Sequence, residues 1–295
     1  MAEVTVSDSE VLAAIEAHGS QRKAAAALGL DHRTVERRLA RMARDVDAPR
    51  LLVIDIETAP NLVYTWGLFQ QNIGVNQIVE SGRVICFAAK WHGTDDVVFY
   101  SERQKGGRER MVRAAHRLMT EADGVVGWNS QRFDTRWLNA EFKDAGLPRP
   151  AGYRQIDLMR SQKRYQFRPS NKLDYMARHL GLGGKVHTGG FDLWRGCMDG
   201  DREAWALMEE YNRADVALTD AVFHDMRQGG WVANLPNRST TAGAVCPCCG
   251  GDRLRAAGVY RTDTRMYQQW RCLDCGSPAQ SVKCEPGSAP LKAVA

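Results

Sequence analysis

The chain contains no apolar run approaching the about 18 residues a membrane-crossing helix needs, and no signal peptide. A bilayer-spanning or secreted protein is therefore not expected; a cytoplasmic one is. No internal repeat is visible, so distinct modules must fill the 295 residues. Cysteine is scarce before position 246, where only Cys86 and Cys197 occur, both read as plain packing residues. That distribution argues against a disulfide scaffold spread along the chain. The segment Gly181-Leu182-Gly183-Gly184-Lys185 lacks both the spacing of a phosphate loop and its following Ser or Thr, and reads as a loop. Charge of one sign does not dominate either. Forty Lys and Arg against 35 Asp and Glu leave +5, a balance that allows nucleic-acid binding without requiring it. With 44% hydrophobic residues the chain can bury one core of about 175 residues plus two small modules.

What is present is a scatter of acids in three local contexts. Leu51-Leu52-Val53-Ile54-Asp55-Ile56-Glu57-Thr58 predicts a buried β-strand, an apolar run ending in two carboxylates. Residues i and i+2 of a strand share a face, so Asp55 and Glu57 should point into one cavity. Two like charges there repel unless a cation lies between them. Gly127-Trp128-Asn129-Ser130-Gln131-Arg132-Phe133-Asp134 follows an apolar stretch and precedes a helical pattern from Thr135 to Ala145, placing an acid at a strand-to-helix junction. Around Glu209-Glu210-Tyr211-Asn212-Arg213-Ala214-Asp215 the periodicity is helical, so Tyr211 and Asp215 share a face at i and i+4.

These three contexts resemble the Exo I, Exo II and Exo III motifs of the DnaQ-like 3′→5′ exonucleases, a branch of the ribonuclease H-like superfamily. Asp55, Glu57 and Thr58 match D-x-E-T; Asn129, Phe133 and Asp134 match N-x3-F-D; Tyr211 and Asp215 match Y-x3-D. The histidine subgroup would need His where this chain has Glu210, so the resemblance is to the tyrosine subgroup. Leu173-Asp174-Tyr175-Met176-Ala177-Arg178-His179-Leu180-Gly181-Leu182 is also similar to the helix between the second and third motifs in exonuclease domains of family B polymerases. The resemblance covers roughly residues 50 to 225. It implies a mixed α/β sheet flanked by helices and a site for two Mg²⁺ or Mn²⁺, which hard carboxylate oxygens favour. Asp55 would bridge both ions, Glu57 and Asp215 would hold the one that activates water, and Asp134 would hold the second, partly through water. Tyr211, with an ordinary pKa near 10, would orient that water rather than deprotonate it. Thr58 and Asn129 are candidates for positioning the terminal nucleotide, although Asn129 is equally natural as a turn residue bonding its own backbone. Read structurally instead, these acids would be a loop cap, an N-cap and a solvated helix residue.

Both ends carry further modules. Cys246-Pro247-Cys248-Cys249-Gly250 and Cys272-Leu273-Asp274-Cys275-Gly276 are two C-x2-C-G knuckles, the spacing of a four-cysteine zinc ribbon over residues 244–284. The expected ligands of one structural Zn²⁺ are Cys246, Cys249, Cys272 and Cys275, with Cys248 able to replace Cys246 and Cys284 left over. At the other end, residues 1–43 predict three short helices with Gly29-Leu30-Asp31 as a turn, similar to Fis-type helix-turn-helix modules. Arg33, Arg37, Arg38 and Arg41 would give the third helix a basic face for phosphates or base edges, the alternative being a helical cap or dimer hairpin. Residues 43–50 and 229–243 read as linkers, and 285–295 as a disordered tail. A further basic cluster, Arg160, Lys163, Arg164, Arg168 and Lys172, interleaves Tyr165 and Phe167, either stacking bases or packing under a loop.

The expectation is a metal-dependent 3′→5′ exonuclease domain over residues 50–228, acting on nucleic acid, DNA ahead of RNA, with replication or repair proteins as candidate partners. The alternatives are a DNA-binding regulator on a passive nuclease-like core, or a structure-specific endonuclease or ribonuclease of the same superfamily.

Overall fold

The computed structural model describes residues 6–36, 39, 49–150, 152–233, 235 and 244–285. Arg37, Arg38 and Arg41, most of both expected linkers, and the expected tail beyond Glu285 lie outside the described residues. The chain divides into two units, Met1–Ala48 and Pro49–Ala295.

In the first unit, α1 (Asp8–His18) starts at a capping box, with the Glu10 N–H donating to Ser7 Oγ at 3.3 Å and the Ser7 N–H to Glu10 Oε2 at 2.6 Å. Gly19, at φ 68°, ends it in the left-handed conformation that glycine adopts without a Cβ penalty. Ser20 then caps α2 (Gln21–Ala27) through the Lys23 N–H, and residues 32–36 form α3. Val11, Ala25 and Val35 are buried together, so one residue from each helix makes the small core.

The second unit is built on a five-stranded sheet in the order β5-β4-β1-β6-β7. Its strands are β1 (Leu51–Thr58), β4 (Val84–Trp91), β5 (Val97–Ser101), β6 (Gly124–Gly127) and β7 (Arg154–Asp157), with β2 (Leu62–Val63) and β3 (Ile78–Glu80) forming a separate hairpin. The β1–β4 and β4–β5 pairs are antiparallel, while β1–β6 and β6–β7 are parallel. Helices cover both faces: α4 (Gly107–Thr120) and α5 (Asp134–Asp144) on one, and α6 (Leu158–Tyr165), α7 (Leu173–His179), α8 (Phe191–Met198) and α9 (Arg202–Gln228) around the other. The expected mixed sheet flanked by helices is thus present.

The period-two alternation of β1 decides which face does what. Leu52, Ile54 and Ile56 pack with Met111, Ala115 and Phe142 of α4 and α5. Leu51 and Val53 pack with Met208, Val216 and Phe223 of α9. Asp55 and Glu57 continue that second row, so the strand turns both carboxylates toward α9. An ion cluster fastens the helix to the sheet: Asp220 accepts from Lys90 Nζ at 2.8 Å and lies 2.6 Å from His92 Nδ1, with all three side chains largely withdrawn from water.

The C-terminal residues form an antiparallel sheet of β8 (Leu254–Arg261), β9 (Met266–Cys272) and β10 (Pro278–Gln280). It seats on the end of α9. Arg227 donates to the Cys248 carbonyl at 2.6 Å and to its sulfur at 3.2 Å, while Ser277 Oγ donates to the Arg227 carbonyl at 3.1 Å.

Candidate metal centre

A register slip between Glu57 and Thr58 ends the regular pairing of β1 with β4 where the acids stand, and leaves Thr58 half-buried at the strand's tip. Asp55, Glu57 and Asp215 each place a carboxylate oxygen within 4.8 Å of the others. Asn212, one residue after Tyr211 on α9, holds the first of them by donating from Nδ2 to Asp55 Oδ2 at 2.7 Å and to its carbonyl at 3.3 Å.

Asp134 approaches these carboxylates from another direction. The turn before α5 is folded around Asp157, whose carboxylate accepts from the backbone N–H groups of Asn129 and Gln131 at 3.2 Å each and of Arg160 at 3.1 Å. Gly127 sits so close to the turn that a Cβ there would lie 2.6 Å from Ser130 Cβ and 3.2 Å from the Ile54 carbonyl, so only glycine lets β6 run into it. Asn129 has φ 62°, and its carbonyl accepts from the Arg132 and Phe133 N–H groups at 3.1 and 3.2 Å, a turn role. Asp134 is delivered buried, accepting from the Ile56 N–H at 3.2 Å. It stands outside the three-carboxylate group but close enough to repel Asp55.

Burial raises all four acids above their ordinary values, and mutual repulsion adds to it at Asp55 and Glu57. Asp55 is raised well above the usual carboxylate range by desolvation and by Asp134 and Glu57. Glu57 is raised to about 8 by desolvation and Asp215, and Asp134 to about 7 chiefly by desolvation. Asp215 is raised for the same first reason, and its buried Oδ1 has no hydrogen-bond partner. Clustered hard oxygens that cannot all ionise without compensation, one of them unsatisfied, are a donor set that fits a divalent cation.

Sequence reasoning missed Lys185. Its Nζ donates to Tyr211 OH at 3.1 Å and forms a shorter contact with Asp215 Oδ2. Its backbone is fixed by Asp174 at the start of α7, which accepts the Lys185 N–H at 2.9 Å. Burial favours the neutral amine, but Asp215 more than offsets this and holds the ammonium charged beyond the ordinary lysine range. Tyr211 moves up, through burial and then Asp215, so its phenol stays protonated. The segment dismissed as a loop is indeed irregular, yet it carries a cation into the centre. Asn212 was likewise overlooked, its only signal being its place between two motif residues on a helix facing β1.

Four sulfurs make a second cluster. Cys246, Cys249, Cys272 and Cys275 lie within 4.8 Å of one another, with Cys246 and Cys275 3.7 Å apart and Cys249 and Cys272 3.6 Å apart. Sulfurs at about 2.3 Å from a tetrahedral zinc would be about 3.8 Å apart. Cys248, left open as a substitute for Cys246, turns to Arg227 instead, and Cys284 is exposed. Of the expected nucleic-acid contacts, Arg33 is exposed at the start of α3 and Arg37 lies outside the described residues.

A comparison with curated proteins finds no match. Among solved structures, the chain is similar to a family B DNA polymerase from the hyperthermophilic archaeon Pyrobaculum calidifontis, at 17% identity and a TM-score of 0.44, over 74% of this chain. The chain spans about a third (32%) of that polymerase, and a likeness at this level carries no argument about function. The family model RNase_H_2, of the RNase H superfamily, matches residues 52–226, the stretch that runs from β1 through the acidic centre to the last turns of α9. Spanning more than half of the chain, and the whole five-stranded sheet with it, that match establishes that this protein belongs to the RNase H superfamily.

Proposed function

We propose that the protein is a metal-dependent 3′→5′ exonuclease that hydrolyses phosphodiester bonds of nucleic acid, DNA ahead of RNA. The observation that carries this reading is the convergence of Asp55, Glu57 and Asp215 within 4.8 Å, with Asp134 buried beside them. Two divalent ions held by these carboxylates would supply a water acidified at neutral pH and neutralise charge on the attacking and leaving oxygens. Asn212 fixes the Asp55 carboxylate through its hydrogen bond. Tyr211, protonated and anchored by Lys185, can donate or accept a hydrogen bond but cannot serve as a free base at neutral pH. Lys185 would offer a positive charge beside Asp215 to a phosphate that reaches the acids. Thr58, at the end of β1, is a candidate to position the terminal nucleotide.

The flanking modules extend the reading. Residues 1–43 would grip duplex DNA through Arg33 and the arginines that follow it, and Cys246, Cys249, Cys272 and Cys275 would hold one structural Zn²⁺. Incubating the protein with 5′- and 3′-labelled DNA and RNA, and with circular DNA, in Mg²⁺ or EDTA tests the core reading. Mononucleotides released from 3′ ends only with Mg²⁺ support it. Cutting of circles would make the enzyme an endonuclease, and an inert protein that still binds DNA would make it a regulator.

A further inference from the structure

Between Glu57 and Glu80 the chain carries no charged residue, and this stretch projects from the sheet as the β2–β3 hairpin. Its tip is ordered by its own amides: Gln77 Nε2 donates to the Tyr64 carbonyl at 2.9 Å, Gln77 Oε1 accepts the Gly74 N–H at 2.8 Å, and the Tyr64 N–H donates to the Gln77 carbonyl at 2.9 Å. Yet its rings face solvent, with Trp66 100%, Phe69 84% and Tyr64 77% exposed. An ordered arm that displays three aromatics to water is a binding surface in want of a ligand.

Its location names the ligand. The arm leaves β1 just after Thr58 and returns where the Ala59 N–H bonds the Arg83 carbonyl at 2.8 Å, so its base lies where β1 ends and β4 begins, next to Glu57. There Gly82 is wedged against α5: a Cβ would sit 2.9 Å from the Ala59 carbonyl and 3.1 Å from the Trp137 ring. Arg136, the residue before Trp137, faces a cavity of about 480 Å³ between α5 and α6 that it lines with Arg132, Arg160, Lys163 and Arg164. No carboxylate lines that cavity. A neutral aromatic arm whose base touches Trp137, and a hollow beside Arg136 whose charged lining residues are all cationic, divide between them the two chemistries of an unpaired strand, the faces of its bases and its phosphates.

We infer that the β2–β3 arm is a base-stacking platform, on which Tyr64, Trp66 and Phe69 take the unpaired nucleotides beyond the metal centre while the α5–α6 cavity holds their phosphates. This deepens the nuclease reading and rests on it for the identity of the ligand. The test uses the full chain without added Mg²⁺ and without chelator, titrated with fluorescein-labelled oligo-dT, beside oligo-dT carrying 5-iodouracil for photocrosslinking. Trp66→Ala should weaken binding at least about fivefold, Trp66→Phe should restore most of it, and crosslinks should map to residues 64–69. Trp66 makes no buried contact, so loss of fold does not confuse the result. Unchanged affinity in Trp66→Ala overturns the inference, as does light scattering that finds a dimer which the substitution dissolves. Cleavage in Mg²⁺ is scored separately. A wild-type chain that cleaves while Trp66→Ala binds normally sinks the platform alone, and one that stacks the strand but never cleaves sinks the nuclease reading alone.

Discussion

Lys185 sits where three carboxylates and a phenol meet, joined to Tyr211 and Asp215. If the carboxylates hold the ions, Ala at Asp55, Glu57, Asp134 or Asp215 should lower cleavage by at least about a hundredfold while circular dichroism stays native. Tyr211→Phe, which removes only a hydrogen bond, should cost less. Lys185→Ala removes both a charge and the anchor of that phenol, so the Lys185→Ala, Tyr211→Phe double variant should be scarcely slower than Lys185→Ala alone. Fully additive rate losses would show that the two side chains act separately. Neither Lys185 nor Asn212 was legible in the sequence as a site residue. Asp55, Glu57, Asp134, Tyr211 and Asp215 fall in motifs because strand and helix periodicity is local. The meeting of Lys185 with Tyr211 instead depends on how the loop after α7 lies on α9. Cys246 and Cys248 were indistinguishable for the same reason, since the packing of Cys248 on Arg227 separates them.

Among the elements, β1 and α9 were the most legible, one as an apolar run ending in acids and the other as a helical stretch around Tyr211. The β2–β3 arm was not, because its aromatics follow neither period and its ordering hydrogen bonds are formed by its own amides. What fastens α9 to β4 is also a matter of packing. Burial would raise the Asp220 pKa, but hydrogen bonds from His92 and Lys90 outweigh that and leave it lowered. A carboxylate lowered in the folded state contributes stability above its unfolded pKa and loses it as pH falls through the folded one. The Asp220 contribution should therefore be intact at neutral pH and fade only below about pH 3.9. Asp220→Ala should destabilise the unit by about 3–5 kcal/mol at pH 7, by leaving Lys90 and His92 withdrawn from water beside no partner. A urea midpoint at neutral pH unchanged from wild type would contradict this. The three-stranded sheet has little buried apolar surface of its own. One Zn²⁺ per chain by elemental analysis, and loss of this sheet with retention of the five-stranded one when the metal is chelated, are the expected results.

For the molecule as a whole, among the described residues no helix is long and apolar enough to cross a membrane. The two units invite a division of labour between binding and cutting. If residues 1–43 bind duplex DNA, affinity should fall with salt by a log-log slope of about −0.9 per phosphate neutralised, and deleting them should flatten that slope and raise KM on long duplexes. Turnover on a short single strand should hardly change, and a truncated protein with the same duplex affinity would favour a cap or dimer contact instead. Within the second unit, one rod serves two clients. Helix α9 presents Asp215 to the acids and, about 18 Å further along its axis, Arg227 to the cysteine-bearing sheet. A helix turns about 100° per residue, so removing or adding one residue between them would swing one end out of phase with its partner. Side chains along that interval can be exchanged freely where they face solvent, whereas its length cannot: it is a gauge set to the residue, and indels there should be far less tolerated than substitutions.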